Sequence, residues 1–178
     1  ASAAALCLFQ ACEAFIPERP DGRLSLRFSE DVFLSTRAAY DIPDTNDFIL
    51  TILDSKGVEL YKGKYGESPE ALSVPSGSYT VFAVSEEFSA PKFSAPQYGD
   101  RQVVVVSSGR DTCVELICRQ MNAGVKLNIA QNFLTSYPGG SLLLRSDDGK
   151  LLYSYSEKRI AYFNPGNVSL VLSDGGKD

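Results

Sequence analysis

Apolar and polar residues alternate along most of this 178-residue chain. Every second residue is apolar in segments 22–28 and 125–129, which is typical of strands that bury one face. Further candidate strands lie at 48–53, 58–61, 71–74, 79–84, 102–106, 112–119, 142–145, 151–155 and 168–172. No window of helical length shows the helical period of about 3.6 residues. The pattern therefore predicts an all-β protein.

The chain also contains an internal repeat. Residues 53–61 (LDSKGVELY) align with 145–153 (RSDDGKLLY), and the proline turn at 75–77 recurs at 165–167. The two offsets are similar, which favours a duplicated domain over chance. Short strands separated by turns rich in Asp, Ser, Pro and Gly are typical of antiparallel sandwiches. We therefore predict two tandem antiparallel β-sandwich domains.

The two predicted domains are unequal in length. The first spans 22–120 and the second spans 121–178, so nothing in the second corresponds to 102–119. Three explanations stay open: the natural chain continues, the second domain is small, or a strand from another molecule completes it. An unpaired sheet edge exposes a row of hydrogen-bonding groups. We expect that edge to be either covered or used in binding.

The chain begins with small and apolar residues that end at Cys12. This run, 1–12, is too short to cross a bilayer as a helix but fits the hydrophobic region of an export signal. A polar linker with two prolines follows at 13–21. We therefore predict a lipoprotein signal remnant, with lipid attached at Cys12 holding the protein at the outer membrane or cell surface. The alternative is that 1–12 forms a first helix or strand packed on the core.

The composition argues against several classes of function. Histidine is absent, which removes the commonest general base and the most frequent zinc ligand. Lys and Arg total 17 against 22 for Asp and Glu, a net charge of −5 that offers no basic surface for nucleic acid. We therefore predict a protein that is not an enzyme, uses no cofactor or metal, and does not bind nucleic acid.

Two groups of residues could be assigned a chemical role, but a structural role explains each of them better. Asp41, Asp44 and Asp47 lie in one segment, but the spacing lacks the glycine and distal glutamate of a helix-loop-helix calcium site, so we predict a turn. Cys113 and Cys118 fall in one candidate strand, where five residues span roughly 16 Å. A disulfide needs Cα atoms ~6 Å apart. We predict two free thiols, with Cys118 on the buried face.

Five aromatic residues fall in predicted loops and are the best candidates for ligand contact, because loops at one end of a sandwich carry binding. They are Tyr65, Phe88, Phe93, Tyr98 and Tyr137. The alternative is that these rings pack in the core, as aromatic residues at alternate strand positions do.

Six features of the sequence, taken in their order along the chain, resemble those of a known family. The set comprises Cys12, the strand entry 22–28, Thr36-Arg37, Asp47-Phe48, the turn 75–79 (PSGSY) and the loop 90–99 (APKFSAPQYG). In this order they resemble uncharacterised two-domain surface lipoproteins of Bacteroidetes, which are similar in architecture to fimbrillins and fimbrial anchor subunits. The resemblance implies Greek-key sandwiches of the transthyretin or fimbrillin type, export, lipid anchoring at Cys12, and a surface role rather than catalysis.

The resemblance also implies a processing site. In fimbrillins a protease cuts after an arginine that follows the first strand, and a strand from the next subunit fills the gap. Arg37-Ala38 occupies a comparable place, after the first strand and before Phe48. The alternative is that Arg37 is a solvated loop residue, which is the commoner situation for an arginine.

These observations together predict a non-enzymatic, lipid-anchored surface protein: a fimbrillin-like or adhesin-like structural subunit or anchor. Its expected partners are outer-membrane lipid and other pilus or surface subunits that exchange strands with it. The alternative is a glycan- or protein-binding module of a nutrient-uptake system, with loop aromatics stacking on the ligand. A third interpretation is a purely structural spacer.

Overall fold

The computed structural model describes residues 21–29 and 43–174. Their regular elements are β1 (Gly22–Phe28), β2 (Ile49–Asp54), β3 (Glu59–Lys64), β4 (Leu72–Val74), β5 (Gly77–Val84), β6 (Lys92–Phe93), β7 (Tyr98–Val106), β8 (Asp111–Leu116), β9 (Arg119–Gln120), β10 (Ala123–Val125), α1 (Gln131–Ser136), β11 (Gly140–Ser146), β12 (Gly149–Tyr153), β13 (Ala161–Phe163) and β14 (Ser169–Asp174). Single 3-10 turns occupy Thr45–Asp47 and Tyr65–Glu67. The all-β prediction is confirmed.

The first half of the chain forms two sheets around one core. A five-stranded sheet has the order β3-β2-β5-β7-β9, and a three-stranded sheet has the order β4-β1-β8. Apolar residues from both sheets meet in this core, among them the fully buried Leu24, Leu50 and Leu116. One pair departs from the antiparallel expectation, since β1 and β8 run parallel. No hairpin joins these two strands, so the connectivity does not force opposite directions.

The second half repeats part of this arrangement. Its sheet β12-β11-β14 has the same order as β3-β2-β5, a hairpin whose first strand also pairs with a later strand. In the first half β5 pairs on its other side with β7. Within the described residues, β14 has no neighbour on the corresponding side. The open edge that the repeat predicts is therefore present in the described part of the chain.

The second half has a core of its own, whose buried residues are Leu142, Leu144, Tyr153, Ala161 and Phe163. A strand from the first half of the sequence joins this second core. The connection between β5 and β7 contains β6, which pairs with β13 in the sheet β10-β13-β6. Phe93 of β6 lies opposite Ala161 and packs against Tyr153, with ring centroids 5.8 Å apart. The Ser94 N–H extends the contact by donating to the Ile160 carbonyl at 2.9 Å. The proline-containing loop 90–99 thus supplies part of the second core.

A buried amide ties the same loop to the segment that connects the halves. Asn122 is 4% exposed, and its Oδ1 accepts from the Gln97 N–H at 2.9 Å. Its Nδ2 donates to the Ala95 carbonyl at 2.8 Å. A buried amide is tolerated when its donors and acceptor are paired in this way. The bonds hold the 95–97 loop where β6 meets the second half.

The free cysteines follow the sequence prediction. Cys118 is fully buried beside Val114 and Leu116, Cys113 is exposed, and neither forms a disulfide. Burial raises the pKa of the Cys118 thiol to about 12, so this thiol is a core residue rather than a nucleophile. No helix within 21–29 or 43–174 is long and apolar enough to span a membrane.

We expect Phe93→Ala to lower the free energy of unfolding by about 2 kcal/mol, because a fully buried phenylalanine costs ~3–5 kcal/mol to truncate and Phe93 is half-buried. Urea denaturation measures the change. Phe88→Ala is the matched control, since Phe88 is a half-buried ring in the same connection but outside both core clusters. Equal losses for the two variants would contradict the docking role of β6.

Candidate functional site

An open cleft of about 520 Å³ lies against the second half of the chain. Its lining residues come from the segment after β10, from α1, and from β11 and β14. They are Leu127, Asn128, Ile129, Ala130, Asn132, Phe133, Ser136, Tyr137, Leu142 and Leu170. The volume falls within the range of small-ligand sites, which are mostly apolar with a few polar groups.

The first wall of the cleft is an extended segment, residues 126–130. The sequence predicts a strand to Ile129, but strand pairing ends at Val125. The side-chain alternation continues, with Leu127 and Ile129 half-buried and Asn128 exposed. The Leu127 N–H donates to the Tyr153 hydroxyl at 3.2 Å, which fixes the segment on the second core. This wall is therefore strand-like in shape without belonging to a sheet.

The second wall is α1 together with the residue that follows it. Phe133 contacts Tyr137, with ring centroids 5.0 Å apart, and Tyr155 at 6.1 Å. The Tyr155 hydroxyl donates to the Tyr137 carbonyl at 2.9 Å, which holds the end of the helix. Tyr137 is 37% exposed, so part of its ring is available to a ligand.

The polar groups of the cleft are uncharged. Asn128, Asn132 and Ser136 provide amides and a hydroxyl, and none of the lining residues carries a charge. The Asn132 Oδ1 accepts from the Phe133 N–H at 2.9 Å. Within the described part of the chain, Asn128 makes no side-chain hydrogen bond, so its amide can both donate to and accept from a ligand.

The five loop aromatics predicted from sequence lie in different places, and only Tyr137 lines the cleft. Tyr98 is 5% exposed in the first core, so it contributes to packing rather than to a surface. Phe93 packs in the second core, and Phe88 is half-buried in the β5–β7 connection. Tyr65 lies against Phe28 at 4.7 Å, and its hydroxyl donates to the Leu26 carbonyl at 3.2 Å. It lines a separate pocket of about 240 Å³.

Asn128, Asn132 and Phe133 were not predicted as site residues. The available signal was the alternation through 125–129, which placed Asn128 on an exposed face. Sequence reasoning assigned that segment to a sheet. The short helix that carries Asn132 and Phe133 has six residues, too few for a helical period to appear.

Several predicted features lie outside the described residues, namely Cys12, Arg37, Ala38 and Asp41. Of the aspartates that are described, Asp44 caps a 3-10 turn, and its Oδ1 accepts from the Asn46 N–H at 2.9 Å. Asp47 pairs with the Lys64 ammonium at 2.7 Å and raises the pKa of Lys64. These contacts confirm the turn interpretation for Asp44. In 21–29 and 43–174 no three His, Cys, Asp or Glu side chains are grouped as a metal site.

An ion pair between Arg159 and Glu157 lies over β6, the strand that joins the second core. The Arg159 guanidinium lies 4.7 Å from the centre of the Phe93 ring. Glu157 accepts from Arg159 Nη2 at 2.7 Å and Nε at 3.0 Å, and from the Lys158 and Arg159 N–H groups. These bonds, above all those from the Arg159 side chain, lower the pKa of Glu157 to about 2.

Comparisons with known proteins give one family and a distant structural likeness. A family model described as Domain of unknown function (DUF4493) matches residues 21–177. A crystal structure of candidate polysaccharide-binding proteins (DUF1812) from Bacteroides thetaiotaomicron VPI-5482 is similar, with 12% identity and a TM-score of 0.48. The alignment covers 87% of this chain and 77% of that one. No curated protein matches the sequence.

The depressed pKa of Glu157 predicts a pH-dependent contribution to stability. Its pKa falls from 4.5 to about 2 on folding, so the contribution is complete above about pH 4.5 and is lost as the pH falls towards 2. We expect Glu157→Gln to lower the melting temperature at neutral pH, and the difference from wild type to disappear in acid. Melting curves across this pH range test it, with Glu70→Gln as a control for net charge, since Glu70 is exposed and has no ion-pair partner within the described residues. A difference independent of pH would contradict the assignment.

Proposed function

The chain belongs to the DUF4493 family of domains of unknown function, and from its cleft we propose that it is a non-enzymatic glycan-binding module of a cell surface. The observation that carries the proposal is the lining of the cleft. A partly exposed tyrosine ring lies beside three uncharged hydrogen-bonding side chains, Asn128, Asn132 and Ser136.

This combination suits a sugar ring, which has an apolar C–H face and a rim of hydroxyl groups. The C–H face can pack on Tyr137, and the hydroxyls can pair with amides that both donate and accept. The leucine and isoleucine side chains of the lining give the ring an apolar surface. An uncharged part of the glycan in the cleft also avoids the cost of burying an unpaired charge there.

Binding without catalysis is supported by the same lining. Hydrolysis of a glycosidic bond uses two carboxylic acids that flank the bond. The cleft contains no carboxylate among its lining residues, and the whole chain contains no histidine. A sugar held there would meet hydrogen-bonding groups but no general acid.

The surface location is part of the proposal and is supported by the sequence around Cys12. Each buried acyl CH₂ contributes ~0.8 kcal/mol to membrane binding, so the several chains of a bacterial lipoprotein hold a protein firmly. A glycan-binding module attached through such an anchor would meet its ligand at the membrane surface.

A second candidate function is that of a fimbrillin-like surface subunit that assembles by strand addition. The observation that favours it is the edge of β14, which has no further strand partner in the described residues. Leu170 on this edge is 52% exposed and lines the cleft. An extended strand from another subunit could pair with such an edge and place apolar side chains in the cleft.

The glycan proposal predicts the effect of three substitutions in the cleft. Tyr137→Ala should weaken binding roughly tenfold, and Asn128→Ala or Asn132→Ala roughly three- to tenfold, because a stacking or hydrogen-bonding contact contributes about 1 kcal/mol. A polysaccharide array identifies ligands, and calorimetry measures the affinities. Phe88→Ala and Asn167→Ala are matched controls outside the cleft and should bind as wild type. If wild type binds no glycan, or Tyr137→Ala binds as tightly as wild type, the proposal fails.

Strand addition predicts a different result. Native protein should form ladders on mild, unboiled gels, and Leu170→Lys should abolish them by adding charge to the pairing edge. Leu152→Lys is the matched control, since Leu152 is 64% exposed on β12, the opposite edge of the same sheet. Tyr137→Ala should leave the ladders intact. A protein that stays monomeric, or two leucine variants that behave alike, would exclude assembly through β14.

A further inference from the structure

A second pocket, of about 370 Å³, lies beside the cleft and shares three residues with it. The shared residues are Leu127, Asn128 and Ile129; the other lining residues are Lys126, Tyr155, Glu157 and Lys158. Both openings therefore border the same extended segment. Tyr155 connects them as well, because its ring contacts Phe133 and its hydroxyl bonds to the Tyr137 carbonyl. A ligand longer than one sugar ring in the cleft would reach this second pocket.

The second pocket differs from the cleft in charge. Lys126 and Lys158 are exposed, and neither ammonium has a carboxylate within 4.0 Å among the described residues. The one carboxylate of the lining, Glu157, already accepts from two side-chain nitrogens of Arg159, Nε and Nη2. Its negative charge is therefore largely balanced by Arg159, and the two lysines give the pocket a positive potential. This potential occurs in a chain of net charge −5.

We propose that the glycan bound in the cleft is acidic, and that Lys126 and Lys158 bind carboxylate groups on its sugars. The inference rests on the proposed glycan-binding function and names the class of ligand. Lys126 and Asn128 lie on the same exposed face of the extended segment, about 7 Å apart along the chain. A sugar that bonds to Asn128 can therefore place a carboxylate on the same or the next ring near Lys126. Lys158 provides a second positive charge from the other side of the pocket.

The lysine ammonium groups would act as point charges. Unlike the planar guanidinium of arginine, they recognise the charge of a ligand group more than its shape. Sulfate groups on a sugar chain share that chemistry with carboxylates. The experiment must therefore compare neutral, carboxylated and sulfated glycans, and must vary the charge without changing the sugar backbone.

The probes are an array of neutral, uronate-containing and sulfated polysaccharides, together with the same uronate polymers after reduction of their carboxyl groups to alcohols. We expect wild type to bind uronate polymers roughly tenfold more tightly than their reduced forms. This preference should shrink as salt is added. The double variant Lys126→Met and Lys158→Met should lose the preference but still bind the reduced polymers, because methionine keeps an apolar stem. Lys150→Met, an exposed lysine on β12 outside both openings, should retain the preference.

The outcomes test the acidic ligand and the glycan-binding function separately. Equal binding of uronate and reduced polymers would overturn the acidic ligand while leaving glycan binding intact. Tighter binding of sulfated glycans than of uronates would overturn the assignment to carboxylate. Absence of binding to any polymer would overturn the glycan function and this inference together. Melting curves of the variants confirm that they are folded.

Discussion

The packing of Phe93 into the second core determines where the candidate site can form. Phe93 contacts Tyr153 at 5.8 Å, and the Tyr153 hydroxyl accepts from the Leu127 N–H and donates to the Arg159 carbonyl. Leu127 begins the wall shared by both openings, and Arg159 covers Phe93 while holding Glu157. A ring supplied by the first half of the sequence therefore supports the wall to which ligands would bind in the second half.

The size of the second half explains why it uses a strand from elsewhere in the chain. A segment of about 60 residues buries only about 60% of the surface of its unfolded chain, which leaves little net stability. Adding β6 extends one of its sheets and adds an aromatic ring to its core. The predicted division at 121 follows the sequence repeat, whereas β6 at 92–93 and the Asn122 bonds to 95–97 cross it. Contacts between distant parts of the sequence carry a cost in loop-closure entropy, which slows folding.

The alternation of apolar and polar residues predicted the strands that bury one face. It failed for a fully buried strand, for a very short strand, and for a segment that alternates without pairing. β2, β5, β8 and β11 have alternating burial over much of their length and lie close to their predicted positions. β13 was not predicted because all three of its residues are buried, and β6 has only two residues. The segment 126–130 alternates but has no strand partner, since alternation reports the burial of side chains and not the pairing of the backbone.

The site was less predictable than the fold because it depends on which segments the tertiary packing brings together. Tyr137 could be proposed from its place in a predicted loop, whereas Asn128 lines a cleft only because α1 and β14 lie opposite it. Tyr98 belongs to the predicted loop 90–99, but β7 begins at Tyr98 and its ring enters the first core. Local sequence can identify exposed rings and turns; the convergence of three chain segments on one cleft depends on tertiary packing.

The two candidate functions make different demands on the same cleft. Strand addition satisfies the N–H and C=O groups along the open edge of β14, so its free energy comes mainly from backbone pairing next to Leu170. Sugar binding uses the opposite side, where Tyr137, Asn128 and Asn132 offer a ring and amides. Both ligands would fill the space between these walls, so one occupant excludes the other. The pair of lysines beyond Asn128 lies on the amide side of that space, which favours a ligand that follows the extended segment over one that follows the sheet edge.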